Sequence, residues 1–334
     1  MRNSAYLLLF LMMISCDLNQ NKEDKSPKKI TIVAHRGASG YLPEHTLASK
    51  AMAHAMNADY IEQDIVLSKD DIPIVIHDIF LDDVTNVSEK FPKRKREDGK
   101  YYVIDFTFEE LKSLEVTERF NSKTGLQIYP NRFPKGISSF RLHSLQDEIE
   151  LIQGLNKSTG KNIGIYPEIK NPKFHHENGK DFSKIVLEIL TKYGYSKKDD
   201  QCILQCFDAQ ELERIRNELK SELFLVQLME FPEQKNLLAF YASYADGIGP
   251  WYKHIISSKT TSGFSFTSLV EEAHKLSLIV HPYTFREDSL DEFDSFKQMI
   301  DVIIHKGGAD GGFTDFPDRM KEVLETKLGV SQLN

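Results

Sequence analysis

From residue 30 onward, short apolar runs alternate with stretches whose apolar positions recur at helical spacing. The runs are ITIVAH (30–35), ADYIEQDIVL (58–67), IPIVIHD (72–78), IGIYPEIK (163–170), CILQCF (202–207), LFLVQLM (223–229), DGIGPW (246–251), LSLIVHPYT (276–284) and DGGFTD (310–315). Amphipathic stretches such as Thr46–Met56, Leu145–Leu155, Phe182–Tyr193, Ala209–Leu219 and Leu290–His305 lie between most of them. Strands alternating with helices predict a parallel sheet of βα units. Only SKDD (68–71) separates the second run from the third. A parallel crossover needs a dozen or more residues, so these two runs form an antiparallel hairpin. A turn centred between Asp70 and Asp71 predicts Asp64 directly opposite His77. With the returning strand set aside, eight strands remain, and the chain is read as a (β/α)8 barrel over residues 30–330. A doubly wound open sheet is the competing arrangement.

Residues 79–143 break this rhythm. They carry the basic run Lys93-Arg94-Lys95-Arg96, the aromatics Tyr101, Tyr102, Phe106 and Phe108, and a short helix near Glu109–Glu115. They read as a small insertion after the strand 2 hairpin, over the barrel's C-terminal face, with the basic run a solvated turn.

The N-terminus reads as something other than fold. Arg2 precedes Leu7–Ile14, an apolar run far short of the ~20 residues that span a bilayer. It has the length of a signal-peptide core and ends Ser15-Cys16, which resembles a bacterial lipoprotein processing site with Met13 in place of the usual leucine. Residues 1–15 are then a leader, Cys16 the lipidated residue and 16–29 a polar tether. The expectation is an exported protein held to a membrane by its N-terminal lipid, facing the periplasm or the cell surface.

Composition narrows the classes. Hydrophobic residues make up 40% of the 334, ample for a large core. Lys and Arg number 42 against 50 Asp and Glu, a net charge of −8, so there is no general attraction for phosphate backbones and nucleic acid is not an expected partner. Three cysteines cannot staple a chain of this length. Cys202 and Cys206 would lie roughly 13 Å apart along one strand face, too far for a disulfide, and are expected as buried thiols.

Barrel enzymes place their chemistry where the strands end. Those ends carry His35 and Arg36, Glu62 and Asp64, His77 and Asp78, Glu168 and Lys170, Gln205 and Phe207, Trp251, His281 and Tyr283, and Asp315. Glu62 and Asp64, two apart, share one face of their strand. Bare carboxylates inside an apolar barrel repel one another and lose solvation, so they are protonated, paired with cations, or hold a metal. Glu168 makes a third hard oxygen donor. That set suits Ca2+ or Mg2+ rather than zinc. The competing reading is a salt-bridge network with Arg36 and Lys170. His35 and His77 are the only histidines expected beside the carboxylates, and a pair fits general acid–base work on a phosphate ester. Arg36 and Lys170 would neutralise charge on the phosphoryl oxygens.

HRGASGYLPEHT (35–46), IEQDIVLSKDDIPIVIHD (61–78) and YPEIK (166–170) resemble the bacterial glycerophosphodiester phosphodiesterases of the secreted, GlpQ-like group. Residues 90–120 resemble the insertion that group carries, and LQCF, GPW and FTDFP also match. The resemblance runs from about Ile30 to about Pro317. It implies a (β/α)8 fold and hydrolysis of deacylated phospholipids such as glycerophosphocholine to glycerol 3-phosphate and an alcohol. It implies His35 and His77 as the catalytic pair, and Arg36 and Lys170 at the phosphate. Glu62, Asp64 and Glu168 become ligands of a metal, usually Ca2+ in this group. Gln205, Trp251 and Tyr283 are expected to contact substrate. Two rivals keep the fold and change the activity: a lipid-anchored surface antigen or host-ligand binder, and a sphingomyelinase D-type phospholipase. Oligomeric state is not legible.

Overall fold

The computed structural model of the protein describes residues 29–331. The leader, Cys16 and the tether through residue 28 lie outside the described residues. Eight parallel strands form the barrel wall: Thr31–Ala34, Tyr60–Leu67, Gly164–Ile169, Ile203–Cys206, Phe224–Met229, Gly247–Pro250, Ile279–Val280 and Gly311–Thr314. They are numbered one to eight below. Strand one lies between strands two and eight, and the others follow in chain order. The seam between strands seven and eight closes through Asp310 N to Val280 O (2.9 Å), Phe313 N to Pro282 O (3.0 Å) and Phe285 N to Phe313 O (2.7 Å). Strand seven is shorter than the apolar run 276–284 predicts. Pro282 has no N–H to donate, so the regular ladder stops before it.

Alternation along each strand sorts the core into two compartments. On strand two, Ile61 and Ile65 face outward and join the large cluster between wall and helices, with Ile149, Leu145, Phe182, Leu212 and Ile300 among its members. The axis is filled by Val33, Tyr166, Ile203, Val226 and Phe313. Helices start where polar caps satisfy their free N–H groups. Thr46 accepts from Ser49 N ahead of Leu47–Ala55, and Ser144 forms a capping box with Asp147 ahead of Leu145–Thr159. Cys202 and Cys206 are buried free thiols, as their spacing predicts.

The hairpin departs from its predicted register by one residue. Leu67 pairs with Pro73, Val66 with Ile74 and Ile65 with Val75, so Asp64 faces Ile76 and not His77. A two-residue hairpin turn needs positive φ at its first central residue (type II′) or at both (type I′). Here only Asp71 takes it (φ 62°), and a wider turn forms, with Ser68 N donating to Ile72 O and Ile72 N to Ser68 Oγ. His77 lies past the strand end.

Beyond the hairpin, Leu81, Val84, Val103, Phe106, Leu111, Leu114 and Val116 bury one another with Val66, Ile74 and Ile76 in a separate cluster. The short helix there spans Phe108–Lys112. The basic run is tied down rather than freely solvated: Arg96 forks onto Asp105 (2.7 Å twice), and Arg94 meets Glu110 at 2.8 Å. Among the described residues, no helix is long and apolar enough to cross a membrane.

Candidate active site

The first strand ends in a sharp turn built from two successive left-handed residues, Arg36 (φ 58°) and Gly37 (φ 89°). A Cβ on Gly37 would meet Ser49 Oγ at 2.5 Å and backbone at 2.9 Å, so only glycine lets the chain pass here. The turn aims Arg36 N at Glu62 Oε2 (2.6 Å) and leaves the guanidinium over the barrel mouth. Arg36 Nη1 donates to Glu44 Oε2 at 2.9 Å, while its buried Nε has no hydrogen-bond partner and stands 3.5 Å from Asp64 Oδ2.

Parallel register places Asp64 beside Glu168, and Glu168 beside Gln205 on the next strand. With strands about 4.8 Å apart, this sets carboxylate, carboxylate and amide in one row. All are buried. Lys170 Nζ lies 2.7 Å from Glu168 Oε1 and 3.7 Å from Asp64 Oδ1. Burial, then the neighbouring Asp64 charge, push Glu62 well above the usual carboxylate range. Burial also raises Glu168, against the pull of Lys170. Burial would raise Asp64 too, but Lys170, His77 and His45 hold it well below its ordinary value. The three therefore titrate as a unit that resists carrying three negative charges. Asp64 Oδ1 and Gln205 Oε1 are buried with no hydrogen-bond partner. Orphaned oxygens next to under-compensated carboxyls are the signature of a cation site, and hard oxygens fit a divalent ion.

Two histidines flank this row. His35 Nδ1 is 2.6 Å from Asp315 Oδ1, and His77 Nδ1 is 2.8 Å from Asp78 Oδ1. An aspartate accepting from Nδ1–H leaves Nε2 as the basic nitrogen. His77 Nε2 is 3.5 Å from Lys170 Nζ. Burial lowers His35 to about 4, with Asp315 opposing and Arg36 assisting, and burial followed by Arg36 and Lys170 lowers His77.

His35, Arg36, Glu62, Asp64, His77, Glu168, Lys170, Gln205, Trp251 and Tyr283 all line one cavity of about 220 Å³ at the strand C-termini. Phe207 and Trp251 are partly exposed at its rim. Tyr283 packs edge-on to Phe207 and donates its hydroxyl to Met229 O at 2.9 Å.

The sequence expectation of two histidines here is corrected by a third. His45 is buried, with Nε2 2.7 Å from Asp64 Oδ2, and His45, Glu62 and Asp64 bring potential ligand atoms within 4.8 Å of one another. His45 adopts φ 57° in the loop after strand one, so no strand or helix periodicity marks it. The signal was its place in that loop, since loops at this end of a barrel carry function.

Paired imidazoles and a row of carboxylates at the mouth of a parallel barrel define a (β/α)8 hydrolase for an anionic ester. The chain belongs to the glycerophosphoryl diester phosphodiesterase family, whose profile matches residues 35–319. It is 49% identical over 336 residues to the glycerophosphodiester phosphodiesterase of Haemophilus influenzae, with 91% of this chain and 92% of the relative covered. It is 39% identical over 318 residues to that of Treponema pallidum, covering 86% and 89%. Its fold matches a Silicibacter pomeroyi structure described as a putative glycerophosphoryl diester phosphodiesterase (TM-score 0.66, 22% identity, 90% and 95% covered). It also matches an Oleispira antarctica phosphodiesterase solved with sn-glycerol-3-phosphate (TM-score 0.61, 19% identity, 88% and 96% covered).

Proposed function

We propose that this cavity hydrolyses glycerophosphodiesters, such as glycerophosphocholine and glycerophosphoethanolamine, to sn-glycerol 3-phosphate and an alcohol. The observation that carries the reading is the pair of Asp-oriented histidines on either side of one carboxylate row. One histidine accepts the nucleophile's proton through Nε2, and the other donates a proton to the leaving alkoxide as the P–O bond breaks. Burial holds both histidines neutral before substrate arrives. The phosphodiester's negative charge favours protonation of the one that acts as acid. Arg36 and Lys170, which line the cavity, bind the phosphoryl oxygens. Gln205, Trp251 and Tyr283 enclose the remainder of the substrate.

Glu62, Asp64 and Glu168 would hold a divalent cation, Ca2+ by their hard-oxygen chemistry, with Mg2+ the near alternative. When bound, the cation supplies charge stabilisation to the phosphoryl group. His45 is read as the partner that orients Asp64 through Oδ2 and leaves Oδ1 free to ligate.

Turnover of glycerophosphocholine tests the reading. Activity should vanish after prolonged dialysis against excess EDTA and return with Ca2+. Undiminished turnover in EDTA would remove the metal, and no release of glycerol 3-phosphate would remove the substrate assignment.

The short apolar leader ending at Ser15-Cys16, with a polar stretch after it, supports export and membrane attachment through a lipid on Cys16. Cys16→Ser should move the protein from the detergent phase to the aqueous phase with turnover unchanged; a native protein already in the aqueous phase contradicts the anchor.

A further inference from the structure

Each catalytic histidine is backed by an aspartate, and each aspartate is held by an arginine from the segment between the hairpin and strand three. Asp315 receives His35 on Oδ1 and, on Oδ2, Arg132 Nη2 at 2.7 Å and Arg286 Nε at 2.8 Å. Asp78 receives His77 on Oδ1 and Arg119 Nη1 on Oδ2 at 2.7 Å. Arg119 also forks onto Glu44 (2.6 and 3.0 Å), and Arg132 forks onto Asp288 (2.7 and 3.0 Å) with its guanidinium 3.7 Å from the Tyr129 ring centroid. Their side chains are 16% and 5% exposed, so neither is a loose surface charge.

We propose that Arg119 and Arg132 are positioning residues that hold the two histidines in reacting orientation through Asp78 and Asp315. This rests on the two-histidine reading above. A carboxylate oxygen that accepts from a guanidinium, itself fixed by its fork onto a second carboxylate, resists rotation away from the imidazole on the other oxygen. The Nδ1–H tautomer is thereby fixed, and Nε2 stays aimed into the cavity. The segment that carries the arginines has its own hydrophobic cluster, so its folding sets the geometry of a site that its own residues do not line. The two arms differ. Arg286 shares Asp315 with Arg132, whereas among the described residues Arg119 is the one arginine that pairs with Asp78.

The test is a pair of double-mutant cycles on kcat. Arg119→Ala should lower kcat about 10–100-fold with little change in KM, and Arg132→Ala should lower it less. In a His77→Ala background, Arg119→Ala should cause no further loss, and likewise Arg132→Ala in His35→Ala. Lysine keeps the charge but cannot fork, so Arg119→Lys should show part of the loss and the same non-additivity. If an alanine variant fails to melt cooperatively, the cycle is read on the lysine variant. Wild-type kcat in Arg119→Lys, or an equal loss in the presence and absence of His77, overturns the inference and leaves the two-histidine reading standing. Full turnover in the His35→Ala and His77→Ala variants themselves overturns that reading instead.

Discussion

Strand two meets buried charge on both faces, and the two sides resolve it differently. Outward, Gln63 meets Glu148, which also receives Lys50 Nζ at 3.0 Å and His143 Nε2 at 2.8 Å. Lys50 further donates to Glu62 O. Burial alone would raise Glu148, yet Lys50 and His143 bring it down to about 2, so this carboxylate is charged, fully buried and matched. Inward, one residue to either side of Gln63, Glu62 and Asp64 stand with Glu168. There carboxylates outnumber the cations within ion-pair reach, and buried polar atoms are left without partners. Both clusters are equally hidden from water. The difference lies in the carboxylate oxygens: both of those on Glu148 have partners, whereas Asp64 Oδ1 has no hydrogen-bond partner and is open to a ligand.

The largest effects should come from the inward face. His35→Ala and His77→Ala should each cost about 10²–10⁴-fold in kcat on glycerophosphocholine while the thermal transition stays in place. Their double mutant should be little worse than either, since the pair acts as a unit. A melt that collapses with activity would make these histidines structural and erase the contrast.

The outward face should answer in stability. Glu148→Ala leaves Lys50 and His143 buried without their carboxylate and should destabilise by about 3–5 kcal/mol in denaturant titration. Activity per folded molecule should be unchanged. Glu62→Gln should do the reverse, lowering activity steeply while raising stability in EDTA through relief of repulsion with Asp64 and Glu168. If both substitutions destabilise alike, the two faces are not different in kind.

A smaller, pH-graded effect belongs to Glu118, in the segment between the hairpin and strand three. It is buried, its Oε2 has no partner, and burial with the nearby Glu44 charge raises it to about 8. The folded state thus keeps this carboxyl protonated where the unfolded chain, titrating near 4.3, has released it. Its contribution is fully present below the unfolded value and is lost as pH rises through about 8. Glu118→Gln should therefore stabilise the protein by up to a few kcal/mol at pH 8 and hardly at pH 4. An equal gain at both pH values would show that the carboxyl is ionised in the fold.

The barrel and its mouth were legible because they follow from local periodicity. Alternation on strand two put Glu62 and Asp64 on one face, and the spacing of βα units brought the other strand ends to the same side. The hairpin register was not legible, since the turn's asymmetry lies in the φ of one residue, Asp71. His45 sits in a loop without period. The arginine supports were hidden by distance along the chain: Arg119 reaches Asp78 across 41 residues and Glu44 across 75, and Arg132 reaches Asp315 across 183. Nothing in the composition of residues 79–143 marks which of its cations turn back toward the barrel.

The packed axis has a kinetic meaning. Phe313 lines the cavity and packs with Val33, Tyr166, Ile203 and Val226 along the axis beneath it, so the cavity is a blind alley and not a passage. Whatever enters head-first must back out by the same opening, and both halves of a cleaved diester share that exit. Occupancy by the phosphate half should therefore exclude the next arrival, so added sn-glycerol 3-phosphate should inhibit competitively in initial-rate measurements.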